Sequence, residues 1–153
     1  MTMHRLLLIG LSVWPQPQQE VQTPPHVLAA CTSISTLLSE GPVDSLHRSN
    51  IVVEDERTRR RGDGCRVRLV ATTTAFANED SPDQRVRAVL PTRGWEEDWD
   101  YGADGPDGTA FALRKDAILC LVRASWDGGD ITDPTYVPDP RYELVMRCME
   151  DPQ

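Results

Sequence analysis

Cys65-Arg66-Val67-Arg68-Leu69-Val70-Ala71 alternates with a period of two, so Cys65, Val67, Leu69 and Ala71 share the inner face of one strand. Working outward, Ile51-Val52-Val53 begins the strand before it, and Arg59-Arg60-Arg61-Gly62-Asp63-Gly64 supplies the turn of a hairpin. Further upstream, residues 25–39 follow Thr23 and place Val27, Leu28, Cys31, Ile34 and Leu38 on one helical stripe, which Glu40-Gly41-Pro42 then terminates. The first unit is therefore a helix followed by a hairpin.

The pattern repeats downstream. Ser81-Pro82-Asp83-Gln84 is a capping box, in which the serine covers an amide of the first turn, the glutamine reaches back, and proline fits the first helical position. Val86, Val89 and Leu90 give this helix its apolar face, and Pro91 with Gly94 keeps it short. Residues 110–114 and 118–126 form a second hairpin around Lys115-Asp116-Ala117, and the outgoing strand is apolar on both faces, as an interior strand should be. Tyr142, Leu144, Met146 and Cys148 share one face of a last strand, whose natural neighbour carries Cys120. The fold class expected is α+β: a mainly antiparallel sheet of about five strands with two helices on one face, built as two helix-hairpin units plus a final strand. One such domain spans residues 25–150 of the 153, a length that can bury a core of its own.

The four cysteines, Cys31, Cys65, Cys120 and Cys148, permit three connectivities. All four project from apolar faces, which favours Cys120 with Cys148 across strands and Cys31 with Cys65 between helix and sheet. Ahead of the domain, residues 1–24 read as a signal-peptide-like or disordered segment: Met1 to Arg5 is weakly basic and Leu6 to Trp14 is apolar, too short to span a membrane. Cleavable export with structural disulfides is the expectation, secreted or in the cell envelope; the alternative is a cytoplasmic protein with reduced, buried thiols. Leu28-Ala29-Ala30-Cys31 spells a lipobox and makes a lipid-anchored lipoprotein a further alternative, although a Pro- and Gln-rich tract separates it from the apolar run.

A formal charge of -8 argues against a nucleic-acid partner, which wants a basic face to release counterions from phosphate. The side chains with chemistry to offer concentrate in two loops, residues 94–109 and 126–140. Trp99, Asp100, Tyr101, Asp104, Asp107, Asp127, Asp130 and Tyr136 are the candidate ligand-binding residues there, an acidic and aromatic surface suited to an envelope protein or glycan. Asp100, Asp104 and Asp107 are candidate calcium ligands, since hard cations take carboxylate and carbonyl oxygens, but their spacing is not that of an EF-hand. Asp104 with Asp127 is the pair a carboxylate-based hydrolase would use. No catalytic residue is assigned and no cofactor is expected. His47 stands alone in the body of the chain, without the partners of a triad or a zinc site. Arg61-Gly62-Asp63 and the run Arg57, Arg59, Arg60 and Arg61 read as a solvated hairpin tip.

Gly94-Trp95, Ala103-Asp104-Gly105-Pro106-Asp107-Gly108-Thr109, a strand cysteine, Trp126-Asp127-Gly128-Gly129-Asp130 and a terminal Tyr-to-Cys strand together cover roughly residues 64–148. In these features the chain resembles small exported proteins of GC-rich bacteria. The resemblance implies an envelope location and transfers no activity. The function expected is a non-catalytic binding or structural module of the cell envelope.

Overall fold

The computed structural model describes residues 21–130 and 132–151, so the signal-like run from Met1 to Trp14 lies outside the described residues. The segment entering the domain is tied to the sheet, because the Thr23 hydroxyl donates to the Gly64 carbonyl at 2.6 Å. Helix α1 (Pro25–Ser39) buries Val27, Cys31, Ile34, Leu37 and Leu38, whereas Leu28 is 43% exposed. At 100° per residue the buried arc centres on Val27 and Leu38, which leaves Leu28 at its margin.

Strands β1 (Ser45–Glu54) and β2 (Arg61–Thr72) form the first hairpin. Its turn lies earlier than the arginine and glycine run suggested. Asp55 folds the chain there, its carboxylate accepting from the Arg57 amide at 3.0 Å and the Thr58 hydroxyl at 2.5 Å, and Arg59 takes a positive φ of 61°. Gly62 and Gly64 are strand residues. At Gly64 a side chain would meet the Cys148 carbonyl 2.1 Å away, so glycine lets the neighbouring strand approach.

Helix α2 (Pro82–Val89) begins at the expected capping box, with Gln84 Oε1 accepting from the Ser81 amide at 3.0 Å. It is fixed to the sheet by Tyr142, whose buried hydroxyl donates to Asp83 Oδ1 at 2.7 Å and accepts from the Asp83 amide at 3.2 Å. Burial, and then the Asp83 charge, push the Tyr142 phenol well above its usual pKa. Strands β3 (Glu96–Gly105), β4 (Gly108–Lys115) and β5 (Ile118–Trp126) follow as a meander, and β6 (Arg141–Glu150) ends the sheet.

The sheet has six antiparallel strands in the order β1-β2-β6-β5-β4-β3. The additional strand is β3, expected as loop, and it turns the second unit into a helix followed by a three-strand meander. Its sequence, Glu-Glu-Asp-Trp-Asp-Tyr-Gly-Ala-Asp-Gly, lacks apolar alternation because an edge strand paired on one side buries little, and the register with β4 shifts between Asp98 and Ala103. As expected, β5 is interior, flanked by β4 and β6.

One face of the sheet packs against both helices, with Val67, Leu69, Phe111, Leu113, Leu144 and Met146 at its centre. Cys65, Cys148 and Cys120 occupy a single register row across β2, β6 and β5. The disulfide pairs are Cys120–Cys148, with Cα atoms 4.0 Å apart, and Cys31–Cys65, with Cα atoms 6.5 Å apart, which is the pairing the apolar faces favoured. The Cys31–Cys65 bridge closes a loop of sequence separation 34. Replacing both of its cysteines by alanine is expected to lower the unfolding free energy by about 2–4 kcal/mol, read from urea melts against the parent protein.

Candidate functional site

Among the described residues, the second face of the sheet is covered only at one end. There Val53, Ala112, Leu119 and Met149 form a small buried cluster, against which Ile51, Leu121 and Tyr101 pack. Tyr101 reaches this position because the register irregularity lifts residues 99–102 of β3 off the ladder with β4. A polar clasp then fixes the irregular stretch. The Tyr101 hydroxyl donates to Asp55 Oδ2 at 2.7 Å, Arg57 Nη2 donates to Asp100 Oδ2 at 2.6 Å, and the Arg57 guanidinium lies 5.1 Å from the Tyr101 ring centroid. Arg114 joins the strand to the end of β6, with Nε donating to Asp98 Oδ2 at 2.7 Å and Nη1 to Asp151 Oδ2 at 2.5 Å. Arg60 also pairs with Asp151.

Asp55 and Asp151 are buried, at 1% and 3% exposure, which makes their charge state decisive for this end of the molecule. Burial alone would raise both carboxyls. For Asp151 the hydrogen bonds from Arg114 and Arg60 outweigh it, and for Asp55 those from Thr58, Tyr101 and the backbone do, so both sit below the ordinary carboxylate range. The same burial, with the hydrogen bond to Asp55, raises Tyr101. Trp99 stands beyond this clasp at 79% exposure.

Between the clasp and the sheet runs a cleft of about 400 Å³, walled by Arg57, Asp100 and Tyr101 and floored by Leu121, Arg123 and Arg147. A second concavity of about 630 Å³ lies beside Trp99, between Glu97, Asp98, Arg114 and Lys115. These walls are built from two hairpin tips and an edge strand, so sequence-distant groups meet at one end of the open face.

The expected loop surface divides into separate groups. Trp99, Asp100 and Tyr101 belong to the clasp. Asp107, Asp127 and Tyr136 come together elsewhere: Asp107 Oδ1 accepts from the Gly128 amide at 3.1 Å, and Asp127 accepts from the Tyr136 hydroxyl and from the amides of Gly129 and Asp139. Gly128 permits this, since a side chain would stand 2.4 Å from the Pro106 carbonyl. The Tyr136 hydrogen bond, followed by the two amides, lowers Asp127, while Tyr136 is raised by the same bond. Asp130 is lowered by the hydroxyl and amide of Thr132. Asp104 accepts from Thr109 and lies 3.9 Å from Arg87, and with Asp107 it lines a shallow concavity at the turn between β3 and β4.

These carboxylates are therefore largely occupied by the turns they build. Asp100, Asp104 and Asp107 do not converge as a ligand set: the group of metal-capable side chains gathered within 4.8 Å among the described residues is Cys31, Cys65 and Cys148, all spent on disulfides. Cys31, read above as a possible lipid acceptor, is fully buried and bonded to Cys65. His47 is exposed on β1.

Sequence reasoning missed Asp55, Arg114 and Asp151 as parts of the site, and Arg66, Arg123 and Arg147 on the open face. The strand parity that set Cys65 and Cys148 inward carried the signal for Arg66 and Arg147 pointing outward. Comparison with protein-family models, with curated proteins and with solved structures gives no match.

The clasp makes stability acid-sensitive. With folded pKa values below the unfolded carboxylate value of about 3.9, Asp55 and Asp151 contribute fully above roughly pH 5, and that contribution is lost as pH falls through 4 and below. Asp151→Asn is expected to cost about 2–3 kcal/mol at neutral pH and to flatten this acid limb, checked by urea melts from pH 3 to 7.

Proposed function

We propose that this protein is a non-catalytic binding module of the cell envelope, and that it engages its ligand through the Trp99–Tyr101 stretch and the adjoining cleft. The observation that carries this is Trp99: a large aromatic side chain left 79% exposed on a backbone that Arg114, Asp98, Asp55 and Asp151 hold in place. An exposed tryptophan on a rigid support offers large contact area at small cost in conformational entropy, the character of a binding hot spot. A general acid working at neutral pH needs a raised carboxyl, whereas among the described residues every carboxyl with a shifted pKa is shifted downward, including Asp55 in the cleft and Asp127 of the pair considered for hydrolysis. These groups are built to stay ionised and to hold structure.

The envelope location is supported by two buried disulfides, which suit an oxidising compartment, and by the resemblance to small exported proteins. Among the described residues no helix is long and apolar enough to cross a membrane. Co-sedimentation of the purified protein with isolated cell-envelope material tests the reading. Trp99→Ala is expected to keep the parent melting temperature and to weaken retention by at least about 2 kcal/mol, roughly thirtyfold in affinity. Equal retention of parent and variant would overturn the assignment of the site.

A further inference from the structure

The open face of the sheet carries a charge arrangement that the fold itself does not need. Strand register stacks its residues in rows: Ser49, Arg66, Arg147 and Leu121 in one, and His47, Arg68, Val145 and Arg123 in the next. Arg66 on β2 thus stands directly opposite Arg147 on β6, with Arg123 on the diagonal across β5. Like charges at directly opposed positions destabilise a sheet. Arg68 is neutralised by Glu143 at 2.7 Å, but among the described residues Arg66, Arg123 and Arg147 have no acidic partner. This gathers unneutralised cations in a chain whose formal charge is -8.

We propose that this face docks an acidic polypeptide segment of a partner protein, whose carboxylates pair with Arg66, Arg123 and Arg147. The inference rests on the binding-module reading above and names the chemistry of its partner. Guanidinium groups take carboxylates in paired hydrogen bonds, and Leu121 and Val145 between them give the segment apolar ground to lie on. Three neighbouring strands span about 10 Å, the reach of about three extended residues, so acidic side chains a few positions apart on one segment meet the arginines together. The cleft beside Tyr101 continues the surface, and Arg, Tyr and Trp are the residue types that dominate protein interfaces. A long polyanion does not fit, because beyond this small patch it would meet the acidic remainder of the molecule.

The test is fluorescence anisotropy of fluorescein-labelled hexaglutamate with the intact disulfide-bonded protein at low salt, using the parent, the double variant Arg66→Gln/Arg147→Gln, and Arg147→Glu. Saturable one-to-one binding that weakens with salt, falls at least tenfold in the double variant and disappears in Arg147→Glu is expected. The double variant should melt no lower than the parent, since it relieves the opposed charges. No binding, or binding unchanged by the substitutions, overturns the proposal. So does sedimentation showing a self-assembly that the double variant abolishes, or retention on phosphatidylglycerol vesicles without peptide binding, because these assign the face to a second copy or to lipid. If retention on envelope material needs Trp99 but survives the double variant, the module reading stands and this one falls; if it needs neither, both fall.

Discussion

Pairing of β6 with both β2 and β5 is the constraint on which the rest of the molecule depends. The first hairpin and the later meander are each local, and neither contacts the other through consecutive strands. Their ladders become one sheet only when the last strand fills the gap between them. That insertion sets Cys148 between Cys65 and Cys120 in one row, brings Tyr142 beneath Asp83 of α2, and delivers Asp151 to Arg114. The two disulfides act on the same junction, one joining β5 to β6 and the other joining α1 to β2. Because β6 reaches β2 from far along the chain, that pairing closes a long loop, and the cost of the closure must be met before the core forms.

Once β6 is in place, the period of two assigns every side chain to one of two unlike faces. The helices cover the face lined by Cys65, Val67, Leu144 and Met146, and it becomes the core. Among the described residues the other face has only the Tyr101 stretch for cover, so its apolar cluster stays small and arginines of β2, β5 and β6 stand beside it. The arginines on that side follow from the same arithmetic as core packing on the first. Moving β6 by one residue would send Arg147 into the core and Cys148 to solvent, so the core fixes the register of the open face.

The sequence was legible where burial imposes a pattern. Strands β2 and β6 each alternate because one face is packed, α2 starts at a capping box made of local bonds, and the cysteine pairing followed from which faces were apolar. β3 was illegible for the converse reason: an edge strand with glycines, carboxylates and an irregular register has little burial to write into its sequence. The first hairpin turns earlier than its glycines suggest, because there an aspartate and not a glycine makes the bend. Asp55 bends the chain with its own carboxylate, while Gly64 serves the approach of Cys148. At the candidate site Trp99 and Tyr101 stood out as aromatics in an acidic stretch. Their supports could not, because Tyr101 meets Asp55 from 46 positions away and Arg114 meets Asp151 from 37, contacts that only the β6 insertion creates.

The many aspartates illustrate why composition misleads about chemistry. Asp127, Asp130 and Asp133 each accept from hydroxyls or amides a few residues onward, so their oxygens shape a long connection that has no strand ladder to do so. Carboxylates used in this way stay ionised and give the surface its negative charge, but they have little coordination left for a cation. Arg66, Arg123 and Arg147 are the reverse case: they satisfy no local structural need, and two of them face each other at a cost. A charged group that builds nothing around itself is better evidence for an external partner than one among many that hold a loop together.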